Sequence, residues 1–186
     1  TMPENKILGL LFAYSPGSGY VSASSLTPGS GYWINLTSAA TIYIPGPFAP
    51  TLGKNPADEL ISKDWGKIII TDAIGQSYVL YAAEKSVDLN TFNLPPVPPA
   101  DLFDVRFGSQ RFVEDVTSTS QTINLNGVVY PVSISVDGLD ISLADAIDGS
   151  FVNTTVKNGS SYILTNNNIN VLKVGSEKVM PTVYSL

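Results

Sequence analysis

The chain has 186 residues, of which 44% are hydrophobic and 14% charged, with a net charge of −6 at pH 7. The hydrophobic content excludes a disordered chain, and the scattered basic residues argue against nucleic-acid binding. Histidine and cysteine are both absent, which excludes Ser-His-Asp and Cys-His triads, disulfides and the His-rich sites of catalytic metals. No apolar run approaches the roughly 20 residues that span a bilayer, so no membrane insertion is predicted.

The N-terminal region reads as strands and turns. "KILGLLFAY" at residues 6–14 is an apolar run of strand length. Pro-Gly-Ser-Gly-Tyr then occurs twice, at residues 16–20 and 28–32. Pro followed by Gly suits the central positions of a type II turn, whereas a phosphate-binding loop would open a helix, and strand-like residues follow here. We therefore predict two turns, the second placing Tyr32 and Trp33 in the core.

The middle of the chain contains a proline-rich loop, one helix candidate and a hairpin. The helix candidate lies within residues 54–67, with Pro56 near its first turn and two acidic residues at its positive end. "KIIIT" and "QSYVLYAA" flank "DAIG" and predict a β-hairpin.

"LPPVPPAD", starting at Leu94, is the clearest break in the sequence, because clustered prolines favour an extended segment that cannot enter a central strand. It divides the chain into a β-rich domain at 1–93, a connector at 94–100 and a second domain at 101–186. Turn signals about ten residues apart predict an immunoglobulin-like β-sandwich for the second domain. Within it, Pro131 predicts an edge or bulged strand. The predicted fold class is all-β, with two halves joined by a polyproline segment.

Carboxylates are the remaining candidates for catalysis. The nearest pairs are Asp101 with Asp104, Asp137 with Asp140, and Asp145 with Asp148. A glycosidase uses such a pair, and residues 137–148 also have the oxygen ligands that calcium takes, although not in the EF-hand pattern. Solvated turn and strand-edge residues explain them better. We therefore predict no catalytic residue, no metal site and no cofactor.

Aromatic residues are concentrated in the first 45 positions and could line a ligand site. The candidates are Tyr20, Tyr32, Trp33 and Tyr43. Exposed flat rings stack on sugars, but large aromatic side chains more often pack in a core with their polar tips bonded to the backbone. Core packing is the favoured interpretation, and carbohydrate binding is the alternative.

Two motifs carry a resemblance to a known family: the Leu-x-Pro-Gly-x-Gly-Tyr-Trp pattern of residues 26–33 and "FNLPPVPPADLFDVRFGSQRFVE" at residues 92–114. Both are similar to a module near the C-terminal end of large secreted surface proteins of the Bacteroidetes–Chlorobi–Ignavibacteria lineage. The hairpin between them is also similar. The resemblance implies a non-catalytic structural or adhesive module, secreted or at the cell surface, whose partners are other domains of a larger protein, like subunits or polysaccharide.

The first strand of that family pattern is missing here, which suggests a fragment or a processed piece. Residues 6–14 would then form an open sheet edge, a template for pairing with another chain. The apolar C-terminal segment supplies candidate subunit contacts for such self-association, namely Val179, Val183, Tyr184 and Leu186.

Overall fold

The structure, a computed structural model, describes residues 6–42, 60–83, 86–147 and 149–176. These residues form thirteen β-strands and a single-turn 3-10 helix at Leu89–Phe92. The all-β prediction is confirmed. Residues 54–59 of the helix candidate at 54–67 lie outside the described residues; in its remainder, residues 61–65 form bends and turns, and Gly66 begins a strand.

The strands form three sheets. The smallest, in the order β2-β1-β3, contains β1 (Phe12–Ser15), β2 (Gly19–Ser22) and β3 (Tyr32–Trp33). A five-stranded sheet has the order β12-β9-β4-β5-β7 and contains β4 (Gly66–Thr71), β5 (Ser77–Ala82), β7 (Val113–Glu114), β9 (Val132–Asp137) and β12 (Ser161–Leu164). The other has the order β11-β10-β13-β8-β6 and contains β6 (Asp104–Phe107), β8 (Gln121–Asn126), β10 (Ile141–Asp145), β11 (Asn153–Val156) and β13 (Val171–Gly175).

Alternating apolar residues build the core of this sandwich-like arrangement. Strands β4 and β9 bury every second side chain, because successive residues of a strand point to opposite faces. Ile68, Ile70 and Ile134 are completely buried from one sheet, and Ile123, Leu143 and Leu172 from the other. Buried residues of both sheets and of the three-stranded sheet belong to one hydrophobic cluster.

One large sheet contains strands from both sides of the proline-rich segment. Strand β4 pairs with β9 over five residue positions, from Lys67 opposite Asp137 to Thr71 opposite Ser133. The predicted boundary between residues 1–93 and 101–186 therefore does not coincide with a boundary between sheets. Alternation and turn signals indicated these strands correctly but carry no information on which distant strand each one pairs with.

The proline-rich segment is hydrogen-bonded to the body of the protein. The Leu94 amide donates to the Gln110 carbonyl at 2.9 Å. The Pro95 carbonyl accepts a hydrogen bond from the Arg106 guanidinium at 2.7 Å, and the Pro96 carbonyl accepts one from the Tyr20 hydroxyl at 3.3 Å. Proline cannot donate to a sheet, but its carbonyl accepts, and side chains provide the donors here.

Both Pro-Gly-Ser-Gly-Tyr segments form the predicted turns. The Ser18 amide donates to the Ser15 carbonyl at 3.0 Å, and the Ser30 amide donates to the Thr27 carbonyl at 3.2 Å. Gly17 and Gly29 have φ values of 83° and 86°, the positive φ that the third position of a type II turn requires.

Two predicted strands differ in detail. The apolar run at 6–14 is interrupted at Gly9, whose φ is 79° and whose added Cβ would lie 2.2 Å from the Thr91 carbonyl oxygen. Strand β1 then lies between β2 and β3, so the prediction of an open edge there is wrong. Pro131 precedes β9 rather than lying inside it, so this central strand needs no bulge at the proline.

Candidate binding groove

A groove beside Trp33 is the candidate site. It has a volume of about 310 Å³, and its lining includes Phe12, Trp33, Asn35, Asn93 and Pro96. The indole is 48% exposed. The predicted core position of Trp33 is therefore wrong.

The exposure of Trp33 follows from the strand that carries it. Strand β3 has only two residues and lies at the edge of its sheet, with Trp33 opposite Phe12 on β1. The strand pattern predicted the strand, but not that it would lie at an edge. Tyr32 is half-buried, and its hydroxyl oxygen accepts a hydrogen bond from the Thr27 amide at 2.7 Å. Hydrogen bonding to Thr27 lowers the pKa of Tyr32.

Asn93 and the start of the proline-rich segment also line the groove. Arg111 Nε donates to the Asn93 carboxamide oxygen at 3.1 Å, and Arg111 Nη1 donates to Glu114 at 2.9 Å. This orients the Asn93 side chain, since its oxygen is occupied by the guanidinium. Asn93 has an NH₂ group that donates, and Asn35, on the Trp33 side, is exposed.

Arg106 lies behind this wall and is only 1% exposed. Its Nε and Nη2 donate to the two carboxylate oxygens of Asp104 at 2.5 and 2.6 Å, and Nη1 donates to Pro95 and to Gln110. The guanidinium carbon also lies 5.9 Å from the centroid of the Tyr20 ring, within cation–π range. This bidentate arrangement pairs each charge with its opposite and gives both carboxylate oxygens a donor, which is the condition for burying an ion pair.

Tyr20 supports the wall instead of lining the groove, since it is 5% exposed and its hydroxyl donates to Pro96. Burial raises its pKa, with Arg106 lowering and Asp104 raising it to a smaller extent. The core-packing interpretation is confirmed for Tyr20. Tyr43 lies outside the described residues, as do Val179, Val183, Tyr184 and Leu186.

The groove can bind a neutral ligand with both a flat apolar face and hydroxyl groups. The indole offers an apolar ring face, and two lining residues, Asn35 and Asn93, carry carboxamides that can donate hydrogen bonds. Its lining contains no Asp, Glu, Lys or Arg among the described residues.

Among the carboxylates of the predicted acidic pairs, Asp101 is exposed, and the others that the structure describes have structural partners. Asp104 is buried with Arg106, so its predicted solvated position is wrong. Asp137 pairs with Lys67 at 3.2 Å, and Asp140 pairs with Lys157 at 3.1 Å. A hydrogen bond from the Asn158 amide lowers the pKa of Asp140, and a smaller contribution from Lys157 acts in the same direction.

Asp145 is 1% exposed and accepts hydrogen bonds from four backbone amides; its predicted pair partner, Asp148, lies outside the described residues. Within the described ranges, no group of three or more acidic residues is arranged to hold a metal ion.

Sequence reasoning missed the Arg106 and Asn93 contributions. Asp104 and Arg106 stand two positions apart, so they point to the same face of one strand, and that spacing is the signal that could have indicated the pair. Asn93 and Arg111 are 18 positions apart, and no local pattern connects them.

Comparisons with models of known families, with curated proteins and with solved structures gave no match. In the described part of the chain, no helix has the length and apolar character needed to cross a membrane.

Proposed function

We propose that the chain is a non-catalytic adhesive module of a secreted or cell-surface protein, which joins other domains, like subunits or polysaccharide. Two observations support this function. Asp104, Asp137, Asp140 and Asp145 are all engaged in ion pairs or backbone hydrogen bonds. The resemblance of residues 26–33 and 92–114 to surface-protein modules points in the same direction.

The Trp33 groove favours a carbohydrate as the ligand. The single observation that carries this proposal is an indole 48% exposed in a groove that also contains two asparagine side chains. Burying a large aromatic ring stabilises a protein, so an indole that stays half-exposed in a groove is a candidate contact for a ligand. A sugar ring can cover an indole while its hydroxyl groups bond to carboxamides. The absence of charge from the described lining fits a neutral polysaccharide.

The experiment is affinity electrophoresis of the protein in gels containing soluble neutral polysaccharides, namely a β-glucan, a mannan and a xylan. The native chain is expected to be retarded by at least one of them, and Trp33→Ala is expected to migrate freely. Ile163→Ser is the matched control, because Ile163 is 50% exposed on β12 and does not line the groove. Equal retardation of the native chain and Trp33→Ala would contradict binding in this groove.

A further inference from the structure

The part of the Trp33 groove that the proline-rich segment lines has a hydrogen-bond donor, while the acceptors around it are already bonded. The carboxamide oxygen of Asn93 accepts a hydrogen bond from Arg111 Nε at 3.1 Å. The carbonyls of Pro95 and Pro96 likewise accept hydrogen bonds from buried side chains, at 2.7 and 3.3 Å. The Asn93 NH₂ group therefore remains as the polar group that a ligand can meet in this part of the groove.

The orientation of the Asn93 carboxamide follows from the chemistry of its neighbour. An arginine side chain only donates, so the oxygen of the carboxamide, and not its nitrogen, must face Arg111. The Asn93 NH₂ group donates to no atom of the described residues. It is nevertheless open to solvent, since Ser142 Oγ is the only buried side-chain polar atom in the described part of the chain that lacks a partner. A donor that is oriented, accessible and unpaired is available to an acceptor on a ligand.

The turn that carries Arg111 has a constrained backbone. Gln110, the preceding residue, has a φ of 68°, which is uncommon for a residue other than glycine and persists only where the surrounding structure holds it. Its carbonyl accepts from the Leu94 amide at 2.9 Å, and its side-chain oxygen accepts from Arg106 at 3.2 Å. Glu114 bonds to the Arg111 guanidinium at 2.9 Å. This part of the groove is therefore pre-organised, and little conformational entropy remains to be lost when a ligand binds there.

The ligand group that meets Asn93 is best one that accepts a hydrogen bond and has no proton to donate. A sugar hydroxyl bound there would also bring its own O–H, and burying that donor beside acceptors that are already bonded is unfavourable. The neighbouring lining is apolar and consists of Leu94, Pro95 and Pro96. A carbonyl oxygen only accepts, and a methyl group beside it suits apolar surroundings. An acetyl group combines the two.

Asn35, which also lines the groove, places a different requirement on the ligand. It is exposed, and its carboxamide makes no hydrogen bond to the described residues. Both its oxygen and its NH₂ group are therefore available, and such a pair suits hydroxyl groups, which donate and accept. A proline-rich peptide also has carbonyls and apolar rings, but it has no hydroxyl group for Asn35. Together with the half-exposed indole of Trp33, these features favour a sugar that carries an acetyl group.

We propose that the Trp33 groove selects an acetylated saccharide, whose acetyl carbonyl accepts a hydrogen bond from the Asn93 NH₂ group, and that Arg111 is the positioning residue for this donor. The inference rests on the proposed carbohydrate-binding function and names the chemical class of its ligand. N-acetyl and O-acetyl groups present the same methyl and carbonyl, so the groove fits either source. The additional hydrogen bond and the covered methyl group are expected to raise affinity about tenfold over the same saccharide without acetyl groups.

NMR titration of the full chain with two matched ligand pairs tests the proposal. The N-acetyl pair is tri-N-acetylchitotriose and cellotriose, which differ in the acetamido group that replaces one hydroxyl on each ring. The O-acetyl pair is an acetylated xylan oligosaccharide and the same sample after alkaline deacetylation. The native chain is expected to bind the acetylated member of at least one pair about tenfold more tightly, with a shift of the Asn93 side-chain NH₂ resonances. The pair that shows the difference identifies the source of the acetyl group.

Variants separate the donor from the fold. Asn93→Asp keeps an acceptor for Arg111 but replaces the donor with a second acceptor, so the preference for the acetylated member is expected to fall below about twofold. Asn90→Asp is the matched control, because Asn90 accepts from the same guanidinium at 3.0 Å but does not line the groove; it is expected to keep the preference. Arg111→Lys keeps a cation beside Glu114 but removes Nε–H, and it is expected to weaken the preference while binding of the non-acetylated members is unchanged. Circular dichroism of each variant verifies folding.

Equal affinity for both members of both pairs would overturn the acetyl assignment and leave carbohydrate binding in place. An undiminished preference in Asn93→Asp would overturn the proposal by showing that the acetyl group is contacted elsewhere. Binding of a decaproline peptide in place of any saccharide would assign the Asn93 donor to peptide carbonyls. A native chain that binds none of the oligosaccharides and none of the three polysaccharides would overturn the proposed function together with this inference, so the two failures are distinguishable.

Discussion

Asp104 and Arg106, two positions apart on β6, form a two-pronged ion pair that is almost fully buried, with N–O distances of 2.5 and 2.6 Å. A third guanidinium nitrogen bonds to the Pro95 carbonyl. The pair thus connects the sandwich to the proline-rich wall of the groove. A change to either residue is expected to affect both stability and groove geometry.

Arg106→Leu is expected to lower the free energy of unfolding by about 3–5 kcal/mol, because it leaves the Asp104 carboxylate buried without its counter-charge. Urea unfolding followed by circular dichroism measures the change. The double variant Asp104→Leu with Arg106→Leu is expected to lose less than the sum of the two single changes, since no unpaired charge remains.

Lys67→Met is the matched control for the ion pair. Lys67 and Asp137, which lie opposite each other on β4 and β9, also form an ion pair, but their side chains are 38% and 63% exposed. Such surface pairs contribute about 0–1 kcal/mol. A loss in Arg106→Leu no greater than that in Lys67→Met would contradict the role assigned to the buried pair.

Asp145→Asn is expected to lower the free energy of unfolding by about 1–3 kcal/mol, since an NH₂ group replaces one carboxylate oxygen and cannot accept from the buried amides. The amide exchange of Phe151 and Val152, measured by NMR, is expected to accelerate. Unchanged exchange at both amides would show that the carboxylate does not fix this turn.

Acid is expected to destabilise the protein partly through Asp115. Burial acts to raise the pKa of this carboxyl, but hydrogen bonds from Ser118 and Thr117 outweigh it, and the net effect is a pKa below the ordinary 3.8. The carboxylate therefore contributes stability above about pH 4, and the contribution is lost as the pH falls through the lower, folded-state pKa.

Urea unfolding between pH 2 and pH 6 measures this linkage. The native chain is expected to lose stability more steeply than Asp115→Asn on the acid side, since asparagine does not titrate. Parallel profiles for the two proteins would rule out a contribution from Asp115.

Trp33→Ala is expected to lower the free energy of unfolding by less than about 1 kcal/mol, as changes at exposed positions do. Trp65→Ala is expected to lower it by about 2–3 kcal/mol, because Trp65 is half-buried with its ring 5.5 Å from that of Phe92. Chemical denaturation of both variants makes the comparison. A loss of several kcal/mol in Trp33→Ala would contradict the exposed position of this indole and indicate core packing.

The features that could be predicted from the sequence, namely turns and alternating burial along a strand, arise from interactions between nearby residues. The positive φ values of Gly17 and Gly29 follow from the turn type that Pro-Gly selects, and the burial of Ile68 and Ile70 follows from alternation along one strand. These features depend on residues within a few positions of each other.

The features that could not be predicted from the sequence depend on contacts between residues that are far apart in the chain. Strand β4 finds its neighbour β9 more than 60 positions away, and no periodicity specifies that choice. Trp33 has the apolar neighbours of a core residue, but its exposure depends on β3 being an edge strand. Asp104 is buried with Arg106, which in turn bonds to the Pro95 carbonyl, and local sequence does not reveal that contact with the proline-rich segment.

The central claim is that Trp33 contacts a carbohydrate, and fluorescence of the Trp65→Phe variant tests it most directly. The chain has two tryptophans, so Trp33 is the only indole left in this variant. Titration with an oligosaccharide of the polymer that retards the native chain is expected to shift the emission to shorter wavelength and to protect the indole from iodide quenching. Saturating oligosaccharide that changes neither the emission nor the quenching would contradict the claim.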